Sequence, residues 1–356
     1  MRIAYISQFA DMVGGGEHSL LDLMTHLPEG YEPQLCAPSE GLLTRKAHEA
    51  GIGLSIVPMP KVGLGTLFVL GQWVSTLRSL NPDVIHANQS RAALYAGLAG
   101  KWLGIPVIFH CRIANHDGWM DKLLMALVDM IICNSQAVSK RFVTAKVPVQ
   151  VVYNGIEFAA PVTTQDLLPD AEKLLLFVGR ISEEKQVESL LAIFDVLVSE
   201  DASLHLAIVG DDAPDDVEYG QGLRDFSTSQ PWAKQVHWLG RQDDVAAWYA
   251  RADILLLTSK HEGFGRVLVE AMAEQLPVVA FAVGGVPEVF DDGVEGILVR
   301  AGDKEGMLNA CRTLLAQPEL CKLMGKKGLK RAQTFSIAKH VQQIKACYAQ
   351  LLEDKG

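Results

Sequence analysis

In the first half of the chain, short β-branched and apolar runs alternate with longer stretches whose apolar positions recur at helical spacing. The runs predict strands at residues 3–7, 34–37, 84–86, 106–110 and 130–134, and the spacing predicts helices at 17–27, 42–50, 67–80, 92–103 and 135–143. That order specifies a parallel sheet wrapped by helices. The alternation stops near Asn154-Gly155, and residues 158–170, with two prolines and two threonines, read as a linker. A second alternation predicts strands at 173–178, 204–209, 236–239, 254–258, 278–282 and 297–299, with helices at 187–198, 245–250, 266–274 and 304–315. The chain therefore reads as two doubly wound α/β halves.

Charge narrows the partners. Of a net −10, none falls on Met1–Glu157, which balances 12 Lys and Arg against 12 Asp and Glu; the rest carries 20 against 30. So acidic a chain lacks the basic field that nucleic acid demands, and a substrate phosphate must meet a few local cations. The start has too short an apolar run for a secretory signal, which predicts a cytoplasmic protein. Residues 62–74 are interrupted by Gln72 and are shorter than the roughly 18 residues of a membrane-spanning helix. The six cysteines are scattered without zinc spacing and read as free thiols.

Candidate chemistry concentrates where glycines precede helices, since a helix start presents unpaired N–H groups and a positive dipole end. Gly14-Gly15-Gly16, Gly263-Phe264-Gly265 and Gly284-Gly285 before Val286-Pro287-Glu288 are such places, and each also suits a purely structural turn. The first cluster does not fit G-x-G-x-x-G, which argues against an NAD enzyme. Gly179-Arg180 and Lys185 follow an apolar strand and put two cations at a strand's carboxyl end, unless Lys185 merely pairs with Glu183 or Glu184 in solvent. Glu262 falls in a loop and Glu270 inside the next helix; carboxylates of this kind suit vicinal hydroxyls or an exposed surface. His110, at a strand end, fits either a role beside the chemistry or a structural one. Asp211-Asp212 and Asp215-Asp216 read as a polar loop, not a metal site.

Taken in order, these motifs resemble the GT-B fold retaining glycosyltransferases of family 4, the glycosyl transferases group 1. The resemblance runs from Gly14-Gly15-Gly16 through His110, Ser135, Tyr153-Asn154-Gly155-Ile156, Gly179-Arg180 with Lys185, Ile208-Val209-Gly210-Asp211 and Leu239-Gly240. It ends on His261-Glu262-Gly263-Phe264-Gly265-Arg266-Val267-Leu268-Val269-Glu270 and Gly284-Gly285-Val286-Pro287-Glu288. It implies two Rossmann-like domains facing a central cleft: residues 1–157 bind the acceptor, 171–335 bind the nucleotide-sugar donor, and 336–356 form a helix crossing back to the first domain. It also implies that Arg180 and Lys185 bind the donor diphosphate, Glu270 the ribose, and Glu262 with the backbone of Gly263, Phe264 and Gly265 the transferred sugar. Gly15 and Gly16 would approach the phosphates and Arg241 would border the base, while Gly210 and Val267 join the donor site and His110 lies near sugar and acceptor. Neither metal nor other cofactor is implied.

Three departures stand out: Gln186 where the family commonly has glycine, Glu157 where aspartate is common, and Asp212-Ala213 for Gly-Pro. Gln186 predicts a different loop backbone after Lys185. Relatives act on glycan or lipid-linked acceptors in surface polysaccharide, lipopolysaccharide or glycolipid synthesis, which implies weak contact with the inner membrane face. Residues 62–74 and 119–127 hold Leu64, Leu67, Phe68, Leu70, Trp73, Trp119, Met120, Leu123 and Leu124 beside Lys61, Arg78 and Lys122, a set that suits either a membrane interface or core packing. A nucleotide-sugar epimerase or hydrolase on the same fold, or a non-catalytic nucleotide-sugar-binding subunit, are the rival readings.

Overall fold

A computed structural model describes residues 1–114, 118–158, 167–168, 170–242 and 244–353. The chain divides into two compact units, Met1–Glu157 with Ser336–Gly356, and Phe158–Phe335. Most of the predicted linker lies outside the described residues.

The first unit is built on seven strands: β1 (Arg2–Ser7), β2 (Glu32–Ala37), β3 (Gly53–Ile56), β4 (Val84–Asn88), β5 (Val107–Cys111), β6 (Met130–Cys133) and β7 (Val149–Val151). They lie in the order β3-β2-β1-β4-β5-β6-β7, every pair parallel. The second has six: β8 (Lys173–Val178), β9 (Leu204–Val209), β10 (Val236–Gly240), β11 (Ile254–Leu257), β12 (Val278–Phe281) and β13 (Gly296–Val299), ordered β10-β9-β8-β11-β12-β13 and again all parallel. Central strands are covered on both faces, so β4, β5 and β11 are buried along their whole length; β11 is apolar throughout, whereas β4 also buries His86 and Asn88 and β5 His110. The short edge strands β3 and β7 are only partly buried and were not anticipated.

Several helices also differ from expectation. Gly15–Thr25 begins two residues early, so Gly15 and Gly16 form its first turn and do not precede it. The helix expected at 135–143 is a four-residue turn, Gln136–Ser139, capped by the Ser135 hydroxyl accepting from the Val138 N–H at 3.1 Å, followed by a 3-10 turn, Lys140–Phe142. Helices Gly118–Leu127, Val217–Thr228 and Pro318–Ala332 were not foreseen. The closing helix, Ile337–Glu353, buries Ile337, Val341, Ile344, Tyr348 and Leu351 at helical spacing among Ile3, Tyr5, Leu20 and Leu35 of the first unit's core.

In each sheet the winding reverses once, between β1 and β4 and between β8 and β11. Loops leaving those strands diverge to opposite faces and open a crevice at the carboxyl edge, where ligands of open α/β sheets bind. Both stretches of candidate chemistry fall there.

Gln186 lies beside the second of these points. It takes φ +50° and ψ +49°, the left-handed conformation that glycine adopts freely, and so caps the helix Val187–Glu200. A side chain in that conformation costs about 1–2 kcal/mol, partly offset by the unfolded-state freedom a glycine would add. Gln186→Gly should therefore raise the melting temperature by about 1–4 °C, and Gln186→Val lower it, in a thermal melt followed by circular dichroism.

Candidate functional site

In the second unit, the loop after β8 carries Gly179, Arg180 and Lys185, and the loop after β11 carries Glu262. The Lys185 ammonium donates to Glu262 Oε1, and both side chains are largely shielded, 16% and 11% exposed. The partner is therefore neither Glu183 nor Glu184. Backbone and side-chain bonds stitch the same two loops: Thr258 Oγ1 donates to the Lys185 carbonyl at 2.9 Å and the Lys260 N–H to the Glu184 carbonyl at 2.8 Å. Ser259 Oγ adds a 2.9 Å bond to Glu262 Oε1. Arg180 is half-buried, and among the described residues none bonds its guanidinium, which leaves five N–H donors uncommitted.

Glu262 is held by its backbone as well, its carbonyl accepting from the Gly285 N–H at 3.0 Å. Gly284 makes this possible: it sits at φ +51°, and a Cβ there would lie 1.9 Å from the Glu262 carbonyl oxygen. Gly263, Phe264 and Gly265 lead into the helix Arg266–Ala273, whose first-turn N–H groups include that of Val267. Phe264 anchors this turn, buried and edge-on to Phe335 with ring centroids 5.4 Å apart.

Glu270, one turn inside that helix, does not meet Glu262's partners. Its Oε1 accepts from Arg266 Nε at 2.6 Å and its Oε2 from the Tyr249 hydroxyl at 2.9 Å. Burial and then the adjacent Glu270 charge push the Tyr249 phenol far above its ordinary pKa, so it remains a donor. Both carboxylate oxygens are thus oriented. The loops after β8, β9 and β10 adjoin: the Gly210 N–H donates to the Gly240 carbonyl at 2.9 Å, and the Arg241 N–H to Asp211 Oδ1 at 3.0 Å. The Arg241 side chain is exposed. Asp212 is paired with Arg224 at 2.9 Å.

In the first unit, Gly15 and Gly16 open the first helix, but Glu17 already occupies its amino end. Its buried carboxylate accepts from the Gly14 N–H at 3.0 Å and from Gln89 Nε2 at 2.8 Å. Gly16 lies close on the Gln89 and Arg112 side chains. His110 is within β5, fully buried, with Arg112 Nη2 at 3.3 Å and His86 Nε2 at 3.0 Å from its Nδ1. Burial first, and then the Arg112 charge, hold both histidines well below the ordinary imidazole pKa. The first unit thus joins Gly16, Gln89, Arg112 and His110, and the second joins Lys185 with Glu262 and, separately, Glu270 with Arg266 and Tyr249.

Sequence reasoning passed over Arg112, His86, Tyr249 and Arg266. Only Arg266 left a readable signal, its i,i+4 spacing to Glu270. Among the described residues, no three His, Cys, Asp or Glu come together as a metal-ligand set.

Two family models match the chain. The one described as Glycosyltransferase Family 4 covers residues 13–159, and the one described as Glycosyl transferases group 1 covers 163–331. The N-acetyl-alpha-D-glucosaminyl L-malate synthase of Bacillus anthracis is 32% identical over 194 residues, 52% of this chain and about half, 48%, of that protein. The sulfoquinovosyl transferase of Arabidopsis thaliana is 26% identical, the match spanning 91% of this chain and 68% of that one. Among solved structures, Anabaena HepE in complex with UDP and glucose superposes with a TM-score of 0.88 at 23% identity, over 98% of this chain and 99% of that chain.

The Gly284 contact is directly testable. Gly284→Ala adds a strained conformation and a clash on the Glu262 backbone, and should cost about 2–4 kcal/mol of unfolding free energy in a urea titration. A loss under half a kcal/mol would mean that the Glu262 loop is not braced there.

Proposed function

The chain belongs to the GT-B fold glycosyltransferases of family 4, and from that premise we propose that it moves a hexose-type sugar, with retention at the anomeric carbon, from a nucleoside-diphosphate sugar to a glycan or lipid-linked acceptor. The observation that carries this reading is the second unit's switch point, where Lys185 is fixed against Glu262 and the Arg180 guanidinium is uncommitted. The donor pocket would be that of the second unit and the acceptor would bind the first. UDP and glucose in the complex of HepE favour a uridine nucleotide.

In the proposed reaction the anomeric C–O bond breaks and its electron pair leaves with the diphosphate. An acceptor hydroxyl bonds the same carbon from the same face and gives its proton to the departing phosphate oxygen. Charge therefore builds on the diphosphate as the sugar gains oxocarbenium character. Arg180, the Lys185 ammonium and the first-turn N–H groups of Arg266 and Val267 would meet that charge, the last three held in place before it develops. Glu270, held by Arg266 and Tyr249, would take the ribose hydroxyls, and Glu262 with Gly263, Phe264 and Gly265 the sugar. Gly210 and Arg241 would border the nucleotide.

We also propose weak contact with an anionic membrane at the cytoplasmic face. No helix among the described residues is long and apolar enough to cross a bilayer. The apolar set, however, divides: Trp73, Met120 and Leu124 are buried core, whereas Leu64, Leu67, Phe68, Trp119 and Leu123 are exposed, Phe68 by 83%. Exposure of this kind fits an interfacial surface, and Lys61 and Lys122 flank it.

With a nucleotide sugar chosen by thermal-shift screening of UDP-, GDP- and ADP-sugars, Arg180→Ala should lower kcat/KM by about 10²–10³-fold. Glu270→Ala should raise the donor KM by about tenfold or more. Unchanged turnover in both variants would sink the site assignment, and product formed without any acceptor would favour the epimerase or hydrolase reading. In flotation with vesicles containing anionic phospholipid, the protein should rise with the lipid and the exposed-surface variant Leu67→Asp/Phe68→Asp should not. Wild-type protein remaining at the bottom of the gradient would remove the membrane part.

A further inference from the structure

A buried line of polar groups runs through the first unit to His110. It starts at Tyr5 in β1, passes to Tyr348 in the closing helix, then to His86 in β4 and His110 in β5; all four are fully buried. The Tyr5 and Tyr348 oxygens are 2.8 Å apart, Tyr348 to His86 Nδ1 is 2.7 Å, and His86 Nε2 to His110 Nδ1 is 3.0 Å. Arg112 closes the line, its Nη2 lying 3.3 Å from the same His110 Nδ1. Its other nitrogens hold it in place: Nε donates to Asn88 Oδ1 at 2.7 Å, and Nη1 to Ser19 Oγ at 2.9 Å and to Asn154 Oδ1.

These contacts settle where the protons lie. A guanidinium only donates, so a proton on His110 Nδ1 would set two N–H groups against each other. Nδ1 is therefore the acceptor, and the neutral ring carries its proton on Nε2. His86 Nε2, facing that acceptor, must carry a proton, so His86 Nδ1 accepts from the Tyr348 O–H. Tyr348 oxygen in turn accepts from Tyr5. His110 Nε2 is left pointing away from the line, buried and with no hydrogen-bond partner among the described residues.

We propose that Arg112 and His86, with Tyr348 and Tyr5 behind them, are positioning residues that lock His110 as the Nε2–H tautomer, making it a hydrogen-bond donor to a substrate oxygen and not a general base. The tautomer follows from contacts within the first unit; the substrate oxygen rests on the proposed glycosyl transfer. The groups facing His110 all oppose its ionisation: Arg112 and His86 bond it, and His340 stacks on it with centroids 6.3 Å apart while donating from its own Nδ1 to the Tyr153 carbonyl at 2.7 Å. Burial, Arg112, His86 and His340 push its pKa down together, and burial keeps both phenols protonated. The closing helix thereby reaches the candidate site through the Tyr348 hydroxyl.

The first test needs no substrate. In the full chain labelled with 15N-histidine, imidazole NMR should show a bare Nδ1 and a proton-bearing Nε2 for His110, unchanged from about pH 5.5 to about pH 8.5. A proton on Nδ1, or titration within that range, overturns the proposal. Arg112→Met removes the clashing donor and should let His110 populate both tautomers; a single unchanged tautomer would show that Arg112 is not the lock. Should that variant fail to fold, Tyr348→Phe gives the equivalent reading one step along, with mixed tautomers expected at His86, and an unmixed His86 counts against the relay. In turnover, His110→Gln retains an N–H donor and should stay within about tenfold of wild-type kcat/KM, whereas His110→Glu, an acceptor, should fall by about 10²-fold or more. Glutamate outperforming glutamine would restore the general base. Absence of turnover with any nucleotide sugar would overturn the glycosyl-transfer reading and leave the tautomer result standing.

Discussion

All-parallel pairing is the constraint on which the rest depends. Every strand in both sheets runs the same way, so every loop that follows a strand emerges at one edge. Helices cover both faces, so the central strands are mainly apolar, and a polar group inside one, such as His86 in β4, has to be bonded within the core. Polar function is thereby confined to the carboxyl edge, and the reversal of winding opens a crevice at one place along it. The residues just past β1, β4 and β5 in one sheet, and past β8 and β11 in the other, meet this requirement because the topology permits few alternatives.

The same constraint explains what could be read from sequence. Strand β11 announces itself because burial on two faces leaves an unbroken apolar run, and β4 and β5 do so through mainly apolar runs that His86, Asn88 and His110 interrupt. Edge strands β3 and β7 do not, being short and partly exposed, and β3 begins with a glycine. Helix Val217–Thr228 escaped because Gly220 and Gly222 dilute its apolar face and acidic residues precede it. Glycine-flanked motifs, Arg180, Lys185, Glu262 and Glu270, were legible as candidate chemistry since their types and places after strands carry the signal. The pairings were not. Tyr348 meets His86 across 262 residues, and Arg112 meets Ser19 across 93, and nothing in a linear pattern specifies such contacts.

Gln186 shows how bonding between loops can set a backbone conformation that the residue itself disfavours. The loop after β8 is bound by Thr258 to the Lys185 and Gln186 carbonyls and by Lys260 to the Glu184 carbonyl. These bonds determine the turn, and the residue at its apex accepts a left-handed conformation at a cost of about 1–2 kcal/mol. Several hydrogen bonds, each with a net contribution of about 1 kcal/mol, outweigh one unfavourable dihedral pair. Tertiary bonding therefore overrides local preference here.

The two cations at the second switch point then divide their labour on physical grounds. Lys185 spends one of three N–H donors on Glu262, and the neutralised pair adds little net charge to the edge. As a largely shielded ion pair it also contributes modestly to stability, because desolvation offsets much of the attraction. Its effect is positional: it ties the loop after β8 to the loop after β11, and Gly284 lets the Glu262 backbone be gripped from the far side. Arg180 has no such commitment and retains its full charge and planar fork, the geometry suited to two phosphate oxygens at once. An anion arriving at this edge would draw its electrostatic attraction chiefly from Arg180, and the geometry of the loops around it from Lys185 and Glu262.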